Sequence, residues 1–145
     1  MPTVSRTFSV PTPPQRTISY LADFGNAVEW DPGTQACTRN DAGPVCVGAN
    51  WHNTSKILWI TTELTYTLES LTDDQVILVG HNDSATSTET ISVRPDGSGS
   101  RITYRNDLEL RGPGKLAGPF LKILFEILGV QVERRLGEVL DGRNL

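Results

Sequence analysis

The sequence predicts an α+β fold in which a curved antiparallel sheet of about seven strands wraps one long C-terminal helix laid across its concave face. Three observations predict it. Polar and apolar residues alternate with period 2 through much of the first 111 residues. Clusters of turn-forming residues divide that stretch at short intervals. After Gly112-Pro113-Gly114 the apolar period changes to 3.6.

In the opening strand, Arg6, Phe8 and Val10 share one face and Thr7 and Ser9 the other, and Pro11 ends it. Thr12 is placed to cap a short helix with Pro13 in its first turn, and Ile18, Leu21 and Ala22 fall on one side of it. A second short helix runs from about Asp23 or Gly25 to Trp30, before the turn Asp31-Pro32-Gly33. From Thr34 to Arg111 the breaks Asp41-Ala42-Gly43-Pro44, Thr72-Asp73-Asp74, Asn82-Asp83-Ser84 and Pro95-Asp96-Gly97-Ser98-Gly99 describe an antiparallel meander. Each strand shows one wet and one covered face, as in Leu64, Tyr66 and Leu68 against Glu63, Thr65, Thr67 and Glu69. The final helix, running to about Asp141, carries Phe120, Leu124, Ile127, Leu128, Leu136, Val139 and Leu140 on a broad stripe. Gly129 and Gly137 inside it each cost about 1 kcal/mol against Ala, so they mark a bend or a close approach. A sheet that buries its covered face by curling round a helix tends not to fill its own interior, and a cavity between sheet and helix follows.

At 145 residues, residues 1–145 form one domain with one core. The 13 basic residues against 17 acidic ones are scattered except for Arg134-Arg135, which argues against a nucleic-acid surface. No secretory leader is visible at Met1-Pro2-Thr3-Val4, so the expected location is cytoplasmic. The most apolar stretch, Leu116 to Val132, is interrupted by Lys122 and Glu126 and is too short for stable membrane insertion. If Asp41 and Ala42 centre a hairpin turn, Cys37 and Cys46 become cross-strand neighbours; a pair of reduced, semi-buried thiols fits a cytoplasm better than a disulfide. His52 and His81 have no acidic or Cys partner at ligand spacing, so no metal is expected. No Gly-rich loop follows a strand to open a helix, and no nucleophile elbow is present, so no cofactor is indicated.

Several segments carry a resemblance: Arg6-Thr7-Phe8-Ser9-Val10-Pro11, Tyr20-Leu21-Ala22-Asp23-Phe24 with Glu29-Trp30-Asp31-Pro32-Gly33, Asp96 through Tyr104, and Asp107-Leu108-Glu109-Leu110-Arg111-Gly112 with Gly118-Pro119-Phe120. Together, and in order along nearly the whole chain, they resemble the polyketide cyclase/dehydrase and lipid-transport branch of the START-like (SRPBCC) superfamily, particularly its small actinobacterial members. The resemblance implies a helix-grip fold closing over a deep hydrophobic pocket. It implies members that bind lipids, sterols, polyketides or hormones, with a minority acting as aromatases or cyclases. Fold likeness alone is a weak guide to the ligand, because pocket linings vary on a constant scaffold.

Alternation places Leu64, Tyr66, Leu68, Glu89, Ile91, Val93, Ile102, Tyr104, Asn106 and Leu108 inward, joined by Phe120, Leu124, Ile127 and Leu128 from the last helix and by Trp30 at the rim. Apolar walls with a few polar groups suit a small-molecule pocket, although the same side chains could simply pack together. Glu89 shares parity with Ile91 and Val93; an inward acid must be paired, hydrogen-bonded or neutral, whereas a one-residue slip turns it outward. Tyr66, Tyr104 and Asn106 could orient a ligand or satisfy the sheet's own hydrogen bonds. Trp51 and Trp59 read as structural anchors.

Three functions fit. The first is a non-catalytic carrier or sensor of a small hydrophobic, lipid-like or polyketide-like molecule. The second is an aromatase or cyclase in which Glu89 or Tyr104 moves a proton. The third is a partner-binding module forming a homodimer through apolar surface around Leu121, Phe125 and Val132.

Overall fold

The computed structural model describes residues 3–57, 60–112 and 118–141, and of these the side chains of residues 57, 118–122 and 125 stand outside the description. The expected alternation is realised in strand β1 (Thr3–Val10), where Val4 and Val10 are buried between exposed Ser5, Thr7 and Ser9. Helix α1 (Pro14–Ala22), a 3-10 turn (Phe24–Asn26) and α2 (Ala27–Trp30) then make a helical corner that buries Ile18, Leu21, Phe24 and Trp30. Thr12 is not the cap of α1. Pro13 occupies that position, and the buried Thr12 hydroxyl instead donates to the Leu140 carbonyl at 3.0 Å, tying the corner to the end of the chain's last helix.

Strands β2 (Thr34–Arg39), β3 (Asn50–Ile57), β4 (Ile60–Leu71), β5 (Gln75–His81), β6 (Ala85–Asp96) and β7 (Gly99–Leu110) complete one antiparallel sheet in the order β1-β7-β6-β5-β4-β3-β2. All neighbours but β1 and β7 are consecutive in sequence, so the middle of the chain is a meander. Residues facing each other at the centre of the sheet keep one parity: Tyr66 opposite Gly80, Leu78 opposite Glu89, Glu89 opposite Asn106, and Ile91 opposite Tyr104. A bulge between Leu68 and Ser70 adds Glu69 on the wet side and keeps Leu68 and Leu71 packed against the core.

The pairing of the two cysteines is not as expected. Cys37 faces Asn53 and Arg39 faces Trp51, so the β2–β3 connection is a long loop rather than a tight turn at Asp41-Ala42. Gly43 and Gly48 adopt positive φ within it. Both thiols are free, Cys37 half-buried and Cys46 exposed.

Helix α3 (Gly118–Val139) packs on β1 and α2. Val132 and Leu136 are its buried line, continued by Leu140 just past its end, with Leu128 and Val139 beside them. At Gly129 the helix lies close against the sheet, since a Cβ there would lie 2.6 Å from Val4 Cγ2; Gly137 has open space around it. Arg6 on β1 meets Glu133 on α3 at 2.9 Å, a half-exposed ion pair alongside that contact. Val132 is therefore core and not part of a pairing surface, while Leu121, Phe125 and Trp59 lie outside the described side chains. Among the described residues, the large apolar side chains that α3 exposes are Ile123, Ile127 and Val130. This is the helix-grip architecture, a curved sheet with its last helix packed on it.

Candidate ligand site

The concave face of the sheet brings together most of the positions that alternation selects. Leu64, Tyr66, Leu68, Glu89, Ile91, Val93, Ile102, Tyr104 and Asn106 are all buried, and Leu108 is half-buried beside them. Trp30 is wholly buried under this face rather than standing at a rim. On α3, Leu128 packs against the core and Leu124 is half-buried. Ile127 is the exception: at 54% exposed it stands on the outward side of the helix, about 140° round from Val132 at 100° per residue. Phe120 falls among the side chains that are not described.

Aromatic rings hold this face. Phe24 from the corner stacks against Tyr66 with centroids 4.4 Å apart and meets Trp30 and Trp51 edge-on at 6.1 and 6.2 Å. Trp30 in turn meets Tyr104 at 5.8 Å. The Tyr66 ring lies directly over Gly80, where a Cβ would come within 2.5 Å of it. Gly80 thus sets how deep the ring sits.

Within these apolar walls lies a polar centre. The Tyr104 hydroxyl donates to Glu89 Oε1 at 3.3 Å, while Glu89 Oε2 has no partner although the residue is only 2% exposed. The second buried polar atom without a partner among the described residues is Trp30 Nε1. On the same strand pair, Asn106 Nδ2 donates to Ser87 Oγ at 2.9 Å, and Ser87 in turn bonds the Tyr66 hydroxyl. Asn53 donates to Thr34 Oγ1 at 3.0 Å and bonds the Cys37 thiol. Asp31, at the C-cap of α2, accepts from Gly33 N and from the Thr34 hydroxyl, each at 3.0 Å.

Burial governs the charges here. It pushes the Glu89 carboxyl well above the usual carboxylate range, and the neighbouring Asp31 carboxylate adds to the effect against a smaller opposing contribution from Tyr104. Asp31 itself is raised by burial against the hydrogen bonds from Gly33 and Thr34 and the Arg135 cation. Tyr66 and Tyr104 are raised by burial and then by Glu89, and Cys37 is pushed up to about 11, chiefly by burial. Burial thus favours the neutral form of Glu89, in which one carboxyl oxygen accepts and the other donates. Ser87 and Asp31 belong to this centre without being singled out by the sequence pattern. Ser87 shares the parity of Glu89, which is the signal that could find it; Asp31 looks like a turn residue until the corner folds over the sheet.

The histidines lie elsewhere. His52 Nε2 and Glu63 Oε1 are 2.8 Å apart, so His52 does have an acidic partner, supplied by the neighbouring strand. With Leu64, Thr65, His81, Asn82 and Asp83 they line a shallow surface depression of about 330 Å³. Among the described residues no three His, Cys, Asp or Glu side chains are grouped to hold a metal ion. No described helix is long and apolar enough to cross a membrane.

The model of the family described as polyketide cyclase / dehydrase and lipid transport matches residues 1–139. No curated protein matches the chain. Among solved structures, a Thermus thermophilus protein is 14% identical with a TM-score of 0.82, covering 99% of this chain and 100% of its own. A START superfamily protein from Mycobacterium smegmatis is 16% identical with a TM-score of 0.79, covering 97% of each. The Zhui aromatase/cyclase from a Streptomyces species is 13% identical with a TM-score of 0.78, covering 97% of this chain and 94% of its own. At such identities the likeness shows the shared fold.

Proposed function

We propose that this chain, which belongs to the polyketide cyclase/dehydrase and lipid transport family, binds a small, largely apolar molecule between the concave face of its sheet and α3, as a carrier or sensor. The observation that carries the reading is the pair of unpartnered polar atoms, Glu89 Oε2 and Trp30 Nε1, set among buried apolar side chains. A buried polar atom left without a partner costs about 1–3 kcal/mol, and a guest that supplies the partner recovers it. Apolar contact would drive binding at roughly 25 cal/mol per Å² of guest surface removed from water. Leu64, Leu68, Ile91, Val93, Ile102, Leu108, Leu124 and Leu128 are the walls in this reading, with Phe120 as a further contributor, and Tyr66, Glu89, Tyr104, Asn106 and Trp30 orient the guest.

The test is thermal unfolding in the presence of fatty acids, sterols and aromatic polyketides, paired with displacement of a fluorescent apolar dye. Ligands at a hundred times their Kd would add about 2.7 kcal/mol of stability. A panel in which nothing raises Tm and nothing displaces the dye contradicts the proposal.

One observation favours a second reading, an aromatase or cyclase. Glu89 and Tyr104 form a buried acid–phenol pair, the kind of group that can move a proton during enolisation. A protein of the same fold, Zhui, carries the name aromatase/cyclase. Turnover of a poly-β-ketone that disappears in Glu89→Gln would favour this reading; binding without turnover favours the carrier.

A further inference from the structure

We propose that the outward face of α3 pairs with the same face of a second copy of this chain, the two helices running antiparallel. Ile123, Ile127 and Val130 stand on that face, each more than half exposed, and Arg134 and Gly137 continue it. Steps of four, three, four and three residues are those of a helix-pairing seam. At 100° per residue the five positions fall within about 80° of one another, on the side opposite Val132. The packing of α3 on its own sheet uses the Val132 and Leu136 side, so the seam stays uncovered. Gly137 fits the same picture. A Cβ there would meet nothing within 4 Å, so the fold of the single chain gives no reason for a residue that weakens the helix. A second helix passing close by supplies one.

The order of charges selects both the occupant and its direction. Glu126 borders the seam beside Ile123 and Ile127 and has no ion pair among the described residues. Arg134 lies two turns further on, and its only described ion pair is with Glu138 at 4.0 Å, both side chains being largely exposed. In an antiparallel pair that sets Ile127 against the partner's Val130, Ile123 lies against the stem of the partner's Arg134. Helical side chains lean towards their own N-terminus, so Glu126 and the partner's Arg134 lean towards each other, and the twofold axis repeats the pair at the other end of the seam. A parallel pairing would set Glu126 beside the partner's Glu126 and Arg134 beside the partner's Arg134, like against like. A lipid surface calls for an apolar face flanked by Lys and Arg, whereas Glu126 and Glu138 flank this one.

The experiment is sedimentation velocity of the full chain at low salt. One pair of helices covers less than the roughly 800 Å² per partner of a standard interface, so the dimer is weak and is sought from about 5 µM to 1 mM protein. The sedimentation coefficient should climb with concentration from that of a monomer to that of a dimer. Val130→Lys, with circular dichroism showing that it is folded, should abolish the climb. Glu126→Arg and Arg134→Glu should each weaken association about tenfold, and the two together should restore it. If Val130→Lys does not fold, the charge reversals decide by themselves. A monomer at every concentration overturns the proposal, as does a dimer indifferent to Val130→Lys. A double reversal that associates no better than the single ones overturns the antiparallel pairing. Pelleting of the monomeric chain with neutral phosphatidylcholine vesicles, lost in Val130→Lys, would assign the face to a lipid surface and overturn the proposal too.

Discussion

Replacing Glu89 by Gln should flatten the dependence of stability on pH. Glu89 is 2% exposed, so its charge cannot be screened by solvent, and its only described partner is the Tyr104 hydroxyl on one oxygen. In the unfolded chain a glutamate titrates near about 4.3. In the fold burial and then Asp31 hold it well above that, so across the intervening window the folded state retains a proton that the unfolded state has released. A folded-state pKa that is raised gives stability fully present below the unfolded value and lost as pH climbs towards the folded one. A one-proton difference sets the slope at up to about 1.4 kcal/mol per pH unit, or roughly 4 °C of Tm per unit for a chain of this size. Asp31 is raised in the same sense and its share is removed by Asp31→Asn; Tyr66, Tyr104 and Cys37 face the same interior and titrate at higher pH. Asp41 and Asp107 are lowered by their arginine partners and act in the opposite direction, at low pH. Melting followed by circular dichroism from pH 5 to 9 at fixed ionic strength reads the effect. Wild-type Tm should decline across that range and the Gln variant should decline less. Parallel curves would refute the placement of a protonated Glu89 in the core.

Gly80→Ala drives a methyl into the Tyr66 ring, whose atoms lie 2.5 to 2.7 Å from where that Cβ would stand, and should cost about 1–3 kcal/mol by chemical denaturation. Gly137→Ala, on α3 with open space around it, should instead stabilise by about 0.5–1 kcal/mol, while Gly129→Ala pushes on Val4 and should not share that gain. Thr12→Val keeps the shape and removes the donor to the buried Leu140 carbonyl, so unfolding should become easier by about 1–3 kcal/mol. Both cysteines should react with a thiol reagent in denaturant without prior reduction, and a reductant should leave Tm unchanged.

Much of the concave face is legible in the sequence because strand parity is robust: one face of each strand is buried, and a slip of one residue would bury Thr65, Thr103 and Arg105 instead of Leu64, Ile102 and Tyr104. The same parity puts Glu89 inward, where the structure has it. Helix α3 is harder to read because its first half is apolar nearly all round, which leaves the stripe's direction open; Ile127 lies on that ambiguous stretch and stands outward, against expectation. Gly129 carries the missing cue, since the helix turns the residue without a side chain towards Val4. The β2–β3 connection misleads because Asp41-Ala42-Gly43-Pro44 looks like a complete turn, whereas the positive φ at both Gly43 and Gly48 builds a longer loop and moves Cys46 away from Cys37. Tertiary partners such as Thr12 with Leu140, or His52 with Glu63, leave no local pattern, because each joins residues brought together only by the packed elements.

A guest held against the concave face is the premise of the function proposed above. Backbone amide NMR shifts recorded while a neutral apolar ligand such as fluorenone is titrated in would test this most directly. Movements concentrated in Ser87–Val93, Ile102–Asn106 and the buried line of α3 are the predicted result. Shifts confined to the His52–Glu63–His81 surface, or none at saturating ligand, would contradict it.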